Sequence, residues 1–320
     1  MTKPVVLVTG AGGYLGGRLV QHLERGGSFA VRRGSRQPRA GEPGSVAIGE
    51  LRDGRQLEEA CRGAGAVVHL AALNEIDSAR DPALATEINV EGTRRLVAAA
   101  ARAGVGRFVY LSTAHVYGAP LAGRIDEDTP THPAHPYATT HRVAEDVVFA
   151  ARDRVEAVVL RLSNAIGAPT RPDVDRWTLV VNDLCRQAAT TGKLTLRSSG
   201  LARRDFIAMS DACAAIEHFL LLERAALPDG PVNLGGGKSL RVIDIVELVA
   251  DRAAVILGER PAIVRPEPAP GELHPDLDYR IDLLVSTGFA LHGDLAAEID
   301  DTLRLCAAAF GRKRVRDGAR

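Results

Sequence analysis

The chain has 320 residues, 46% hydrophobic and 25% charged, and its 40 basic residues balance its 40 acidic ones. This composition excludes a disordered, collagen-like or coiled-coil architecture, and zero net charge gives no general attraction to nucleic acid or membrane. Four widely spaced cysteines exclude a disulfide framework or zinc knuckle, so no metal site is predicted. No apolar run is long enough to span a membrane, so we expect a cytoplasmic protein.

Apolar runs alternate with amphipathic segments in the first half of the chain. Strands are predicted at Val5–Val8, Phe29–Arg32, Val46–Ile48, Ala66–Leu70, Phe108–Leu111 and Ala157–Leu162. Helices are predicted between them, for example at Leu15–Leu23, Gln56–Cys61 and Val90–Ala103. Unbroken apolar strands separated by helices indicate a parallel sheet covered on both faces. We therefore predict an α/β fold with a Rossmann-type, doubly wound parallel sheet over residues 1–167.

The second half of the chain is less regular. Helices are predicted at Trp177–Ala189, Asp211–Leu222, Ile243–Leu257 and Leu295–Ala309. Short strands are predicted at Leu194–Leu196, Pro231–Leu234 and Ala262–Arg265. This mixture predicts a smaller α+β substrate domain over residues 168–310. Residues 311–320 are predicted to be a basic flexible tail, with a contact to a polyanion as the alternative.

A glycine-rich loop joins the first predicted strand to the first predicted helix. Glycines at three-residue spacing let the backbone turn sharply and approach a pyrophosphate, which the N–H groups and dipole of the helix N-terminus then bind. The loop follows a strand and opens a helix, which is the context that this function requires, although a plain tight turn is the alternative. The residues predicted to bind a dinucleotide are Gly10, Gly12, Gly13, Tyr14, Leu15 and Gly16.

The second strand favours NADP(H) over NAD(H). An NAD site of this type ends that strand with an acid that holds the adenosine ribose, and none is present between Phe29 and Arg36. Guanidinium groups suit a phosphate dianion, so we predict a pocket for the 2′-phosphate; a solvated basic loop is the alternative. The residues predicted to form it are Arg32, Arg33, Ser35 and Arg36.

Four more motifs follow at ordered spacings. They are His69-Leu70-Ala71-Ala72, Asn89-Val90-Glu91-Gly92-Thr93, the segment from Leu111 to Gly118, and Pro136-Tyr137-Ala138-Thr139-Thr140-His141. With the glycine loop, they resemble the extended short-chain dehydrogenase/reductase superfamily, specifically its nucleotide-sugar epimerase, dehydratase and ketoreductase family. The resemblance reaches about Phe289.

The resemblance implies roles for particular residues. Tyr137 is implied to be the acid/base, and Thr113 to hydrogen-bond the reacting oxygen. Further cofactor contacts are implied for Glu50, Leu51, Leu70, Ala71, Ala72 and Leu111. Substrate contacts are implied for Thr113, Asn164 and Arg204. His115 is a further candidate for a substrate contact, and a purely structural role is the alternative. The resemblance also implies a homodimer formed through Val90–Ala103 and Val143–Ala151, and segments near residues 204–240 that return to the first domain.

One catalytic position departs from this family. Its pattern is Tyr-x-x-x-Lys, whereas this chain has His141 four residues after Tyr137. Both side chains share a helix face, so His141 can reach a cofactor ribose hydroxyl, but histidine is mostly neutral at pH 7. Loss of a fixed cation impairs alcohol oxidation, which needs a phenolate, more than reduction, which needs a phenol. An inactive, degenerate site is the alternative.

The sequence therefore favours an NADPH-dependent ketoreductase. Its substrate is predicted to be a nucleotide-linked deoxysugar with a keto group, preferably at C4, and nucleic acid and membrane partners are not expected. Family dehydratases carry Asp-Glu after the active threonine, whereas this chain has Ala114 and His115. The alternatives are an NAD-dependent nucleotide-sugar epimerase and a catalytically weak NADP-binding protein.

Overall fold

Strands and helices alternate through the first half of the computed structural model, which describes residues 2–38, 41–272 and 274–311. The strands are β1 (Val5–Thr9), β2 (Ala30–Ser35), β3 (Ser45–Ala47), β4 (Ala66–His69), β5 (Arg107–Thr113), β6 (Gly123–Ile125), β7 (Glu156–Leu162), β8 (Asn164–Ile166), β9 (Lys193–Thr195), β10 (Arg203–Ala208), β11 (Val232–Leu234), β12 (Ser239–Arg241), β13 (Ala262–Val264) and β14 (Leu277–Tyr279). All six strands predicted in the first half are present, with ends that differ by at most three residues.

The α-helices are α1 (Tyr14–Gly26), α2 (Gly54–Cys61), α3 (Glu75–Arg80), α4 (Pro82–Ala85), α5 (Thr93–Arg102), α6 (Pro136–Phe149), α7 (Val180–Thr191), α8 (Met209–Leu221), α9 (Val242–Leu257), α10 (Asp282–Ser286) and α11 (Leu295–Phe310). A π-helical segment, Thr86–Gly92, joins α4 to α5, and short 3₁₀ segments lie at Ala114–Tyr117 and Arg224–Ala226. Within the described ranges, no helix is both long and apolar enough to cross a membrane.

Seven parallel strands form the central sheet, in the order β11-β7-β5-β4-β1-β2-β3. Chain order reverses between β1 and β4, and ligands of such sheets bind outside the carboxyl ends of the strands at this point. Helices α1 and α8 cover one face of the sheet, and α2, α5 and α6 cover the other. The predicted Rossmann-type fold is confirmed.

Several elements of the second half form a smaller α+β part beside the carboxyl edge of the sheet. Strands β12, β10 and β8 form a three-stranded sheet, and α7, α9 and α11 enclose a separate apolar core. Trp177 belongs to this core, where its ring packs edge-on against Phe310 at a centroid distance of 5.0 Å. It precedes α7, which is why that helix begins three residues later than predicted. Packing in this core accounts for the burial of Trp177.

Candidate functional site

A cleft of about 1410 Å³ opens at the carboxyl ends of β1, β4 and β5. Motifs that are far apart in sequence meet there because parallel strands deliver their ends to one edge. The predicted site residues that line it are Gly10, Gly12, Gly13, Tyr14, Leu15, Gly16, Ser35, Arg36, Glu50, Leu51, Leu70, Ala71, Ala72, Leu111, Thr113, His115, Tyr137, His141, Asn164 and Arg204. Arg32 and Arg33 are absent from this lining.

The glycine loop brings backbone to where a pyrophosphate would bind. Gly10 has φ +68°, and a β-carbon on Gly16 would lie 2.0 Å from the Gly10 carbonyl oxygen, so the loop and α1 can approach this closely only without side chains. A β-carbon on Gly12 would meet no atom within 4 Å. Among the residues that the structure describes, no side chain caps α1 at Gly13, which leaves the N–H groups of its first turn for an anionic ligand. These residues fit the diphosphate of a dinucleotide.

A buried polar network lies next to the glycine loop, at the ends of β1 and β4. Thr9 Oγ1 lies 2.7 Å from His69 Nδ1 and accepts the Ala71 N–H at 3.2 Å. His69 Nε2 lies 2.9 Å from Thr93 Oγ1, whose own proton goes to the Asn89 carbonyl at 2.6 Å. His69 therefore donates from Nε2 and accepts at Nδ1. Burial lowers its pKa to about 3, so it is neutral and ties the end of β4 to that of β1.

At the adenosine end of the cleft, two of the four residues predicted to bind the 2′-phosphate lie elsewhere. Strand β2 continues to Ser35, three residues beyond its predicted end, so Arg32 and Arg33 lie within the strand and point to opposite faces. Arg32 Nη1 donates to the carbonyls of Ala60 and Arg62 beside α2. Arg33 Nη2 pairs with Glu24 of α1 at 2.5 Å. Neither guanidinium reaches the cleft.

Ser35 and Arg36 remain at that end, where the strand finishes. Arg36 is exposed and makes no hydrogen bond or ion pair with any residue of the described ranges, so its guanidinium is available to an anion. Glu50 lines the same end and lies 3.5 Å from Arg52. The next residue, Leu51, is buried with φ +59°, a conformation that costs a branched residue energy and often marks a functional site.

The catalytic end is formed by β5 and α6. Thr113 ends β5, and Tyr137 lies in the first turn of α6, whose Pro136 suits that position because it has no N–H to satisfy. The side chains of Tyr137 and Thr113 are hydrogen-bonded, which lowers the pKa of the phenol, but burial outweighs this effect and raises it well above its usual value. Tyr137 is therefore a neutral phenol, the form that can donate a proton.

His141 follows one turn later, with its ring 4.2 Å from that of Tyr137. Its Nδ1 lies 2.9 Å from the Tyr137 carbonyl oxygen, and since a carbonyl can only accept, Nδ1 carries a proton. Burial lowers the pKa of His141, so the ring is neutral. Nε2 then holds a lone pair and has no hydrogen-bonding partner among the described residues. His141 thus offers the cleft a hydrogen-bond acceptor, whereas a lysine offers a charged donor.

Glu145, which sequence analysis missed, anchors this helix. It is fully buried, and its carboxylate accepts from Ser112 Oγ at 2.6 Å and from Arg161 Nε and Nη2 at 3.0 and 2.7 Å. Tyr137, His141 and Glu145 are spaced by four residues, so they follow one face of α6. That spacing is the signal that could have identified Glu145, whose ion pair holds α6 against β5 and β7.

The substrate side of the cleft carries polar groups from both parts of the chain. Asn164 Nδ2 donates to the Asp205 carbonyl at 2.8 Å. Arg204 makes no ion pair or hydrogen bond within the described part of the chain, and desolvation lowers its pKa. Burial also lowers the pKa of His115, which lies within electrostatic reach of Arg204. A guanidinium that lines the cleft without an acid partner among the described residues is suited to binding an anionic substrate group.

Comparisons with known proteins relate the chain to nucleotide-sugar enzymes. A model of the NAD dependent epimerase/dehydratase family matches residues 6–235. A dTDP-glucose 4,6-dehydratase of Streptomyces antibioticus is 30% identical over 273 residues, 78% of this chain and 77% of that protein. A UDP-glucose 4-epimerase of Streptomyces lividans is 31% identical over 268 residues, covering 76% and 79%. The structure of MoeE5 in complex with UDP-glucose and NAD is 26% identical, with a TM-score of 0.75 and coverage of 94% and 97%.

Proposed function

The chain belongs to the NAD dependent epimerase/dehydratase family, and from that premise we propose that it is an NADPH-dependent ketoreductase. The proposed substrate is a nucleotide-linked deoxysugar, and the keto group reduced is at C4. The observation that carries the proposal is His141, a neutral imidazole at the position where Tyr-x-x-x-Lys enzymes keep a cation. Without that cation, forming the phenolate of Tyr137 costs more free energy. Alcohol oxidation needs the phenolate and reduction needs the phenol, so reduction is the favoured direction.

The chain's own residues supply the proton and the orientation. The chemistry that NADPH contributes when bound is a hydride equivalent for the carbonyl carbon. Thr113 donates a hydrogen bond to the carbonyl oxygen and polarises it. Tyr137 transfers its phenolic proton to the same oxygen as the alcohol forms. The raised pKa of Tyr137 keeps it protonated before each turnover.

The proposed preference for NADPH rests on Ser35 and Arg36. Arg36 lies at the adenosine end and makes no ion pair or hydrogen bond within the described residues, and the two residues before it, Gly34 and Ser35, are not acids. A 2′-phosphate would gain a cation there, whereas an unphosphorylated ribose would find no carboxylate. NAD is the bound cofactor in the MoeE5 structure, so NAD(H) is the second candidate.

The proposed substrate class rests on Arg204 and Asn164, which line the same cleft as Tyr137. UDP-glucose in MoeE5, and the dTDP- and UDP-glucose substrates in the relatives' names, support a nucleoside diphosphate sugar. Ala114 provides no acid after Thr113, which argues against dehydration. The second candidate function is an epimerase, favoured by the similarity to UDP-glucose 4-epimerase.

We also propose a homodimer through α5 and α6, where the apolar Val143 is exposed.

The identity of the retained cofactor tests this proposal first. Mass spectrometry of the small molecules released on denaturation is expected to find none or NADP(H). Fluorescence titration of the emptied protein is expected to give about tenfold or tighter binding of NADPH than of NADH. NADPH consumption with 4-keto nucleotide sugars then tests the reductase. Stoichiometric NAD(H) would contradict the proposal and favour the epimerase.

A further inference from the structure

Residues 168–179, the strap, connect β8 to α7 and run over the N-terminal half of α1. Arg18 Nη1 of that helix donates to the Ala168 carbonyl at 3.0 Å. A β-carbon on Gly17 would lie 2.6 Å from Thr170 Oγ1, so the strap lies against the helix immediately behind the glycine loop. Arg171 and Arg176 of the strap line the same cleft as that loop.

Two arginines of the strap form ion pairs with acids that lie outside it. Arg171 Nη1 lies 3.6 Å from Glu42 Oε1, in the connection between β2 and β3 at the adenosine end. Arg176 Nη1 lies 3.1 Å from Glu75 Oε2, at the start of α3. This second pair is at the catalytic end, because both of its charges act on the pKa of Tyr137. The two pairs therefore tie the strap to the connection that follows β2 and to the start of α3.

We propose that the strap is an electrostatic latch on the dinucleotide cleft, and that the Arg171–Glu42 and Arg176–Glu75 pairs open before the cofactor enters or leaves. All four side chains are between about a quarter and two fifths exposed. Such pairs contribute little free energy each and exchange readily, which suits a latch rather than a permanent clamp. The inference rests on the cleft being the dinucleotide site, and it holds for NAD(H) as for NADP(H) and for an epimerase as for a reductase.

Two variants separate a latch from a simple charge effect. Glu42→Gln/Glu75→Gln removes the acids, and Arg171→Gln/Arg176→Gln removes the arginines. Stopped-flow fluorescence measures association and release of NADPH, and separately of NADH, with the emptied full-length protein. A latch predicts that both variants accelerate both steps, by about threefold to tenfold. A direct charge effect on an anionic cofactor predicts opposite changes in the two variants, and that result would overturn the proposal.

Salt and a remote ion pair provide the controls. Screening should accelerate release from the wild type, whereas release from both glutamine variants should change much less. Asp301→Asn removes a more exposed acid that pairs with Arg304 within α11 at 2.8 Å, remote from the cleft. This variant is expected to keep wild-type rates at every salt concentration. Wild-type rates in both glutamine variants would show that the strap pairs do not control exchange.

A steric variant tests the same latch without changing charge. Gly17→Ala places a methyl group against Thr170 and should lift the strap, so release becomes faster and amide hydrogen exchange of residues 171–179 increases. Gly17→Ala/Thr170→Ala removes the opposing hydroxyl and methyl groups and is expected to restore both quantities. If Gly17→Ala accelerates hydrogen exchange in the strap but leaves cofactor release unchanged, the strap does not gate the cleft.

Discussion

The two ends of the cleft are built by opposite means. At the end proposed to bind the pyrophosphate, the cleft is formed by backbone, and side chains must be absent, as the Gly16–Gly10 contact shows. At the proposed catalytic end, the cleft is formed by side chains, and the buried Glu145–Arg161 pair holds the helix that carries them. A site built from backbone therefore has little freedom to vary, whereas a site built from side chains can carry a different group, such as His141, on the same supporting helix.

The largest effect is expected from removing the support of the catalytic end. Glu145→Ala leaves the Arg161 guanidinium buried without its carboxylate and should lower the free energy of unfolding by about 3–5 kcal/mol. Asp146→Asn is the matched control, because the neighbouring Asp146 pairs with Arg142 at the surface and should cost less than about 1 kcal/mol. Urea unfolding measures both. Equal losses in the two variants would contradict a special role for the buried pair.

Acid should destabilise the support of the pyrophosphate end. The pKa of His69 is about 3 in the folded protein, below its unfolded value, so the unfolded state binds the extra proton first. This contribution to stability is full above the unfolded pKa and declines as pH falls towards 3, by about 2 kcal/mol between roughly pH 8 and pH 5. Urea unfolding across pH should show a smaller slope in His69→Asn. An unchanged slope would exclude His69 as its source.

Two alanine variants should separate fold from binding within the glycine loop. Gly16→Ala collides with the Gly10 carbonyl and should lower the free energy of unfolding by about 1–3 kcal/mol. Gly12→Ala meets no protein atom, so its stability should stay within about 0.5 kcal/mol, while cofactor affinity falls by roughly tenfold or more. Thermal unfolding and fluorescence titration measure the two quantities. Full cofactor affinity in Gly12→Ala would move the pyrophosphate away from this loop.

His141→Lys is expected to change the rate of alcohol oxidation and to have the smallest effect of the variants on the structure. The new cation favours the phenolate, so the pKa of Tyr137 falls and alcohol oxidation begins at lower pH. We expect the ratio of oxidation to reduction rates near neutral pH to rise by about tenfold, equivalent to one pKa unit. His141→Gln, which adds no charge, is the control and should leave the oxidation pH profile in place. A profile that shifts equally in both variants would contradict the charge argument.

The sequence predicted the ends of the cleft unequally. Gly10 and Gly16 could be assigned because few residues suit those positions, and the apolar strands located most of the sheet. Arg32 and Arg33 could not be separated from Arg36, since side-chain direction alternates along a strand and its end was misplaced by three residues. Glu145 was missed because its partners Ser112 and Arg161 are far away in sequence. The contacts that Tyr137, His141 and Arg204 make with ligands stay predictions.

Strand β11 has a consequence for how the protein is synthesised. It forms the outer edge of the central sheet by pairing with β7, although some 70 residues of chain separate the two strands. A nascent chain that has reached only Gly167 therefore presents β7 as an open, apolar edge, which favours pairing with other chains. Translation must extend past Leu234 before that edge is covered. Expression of residues 1–167 alone should consequently yield aggregated protein.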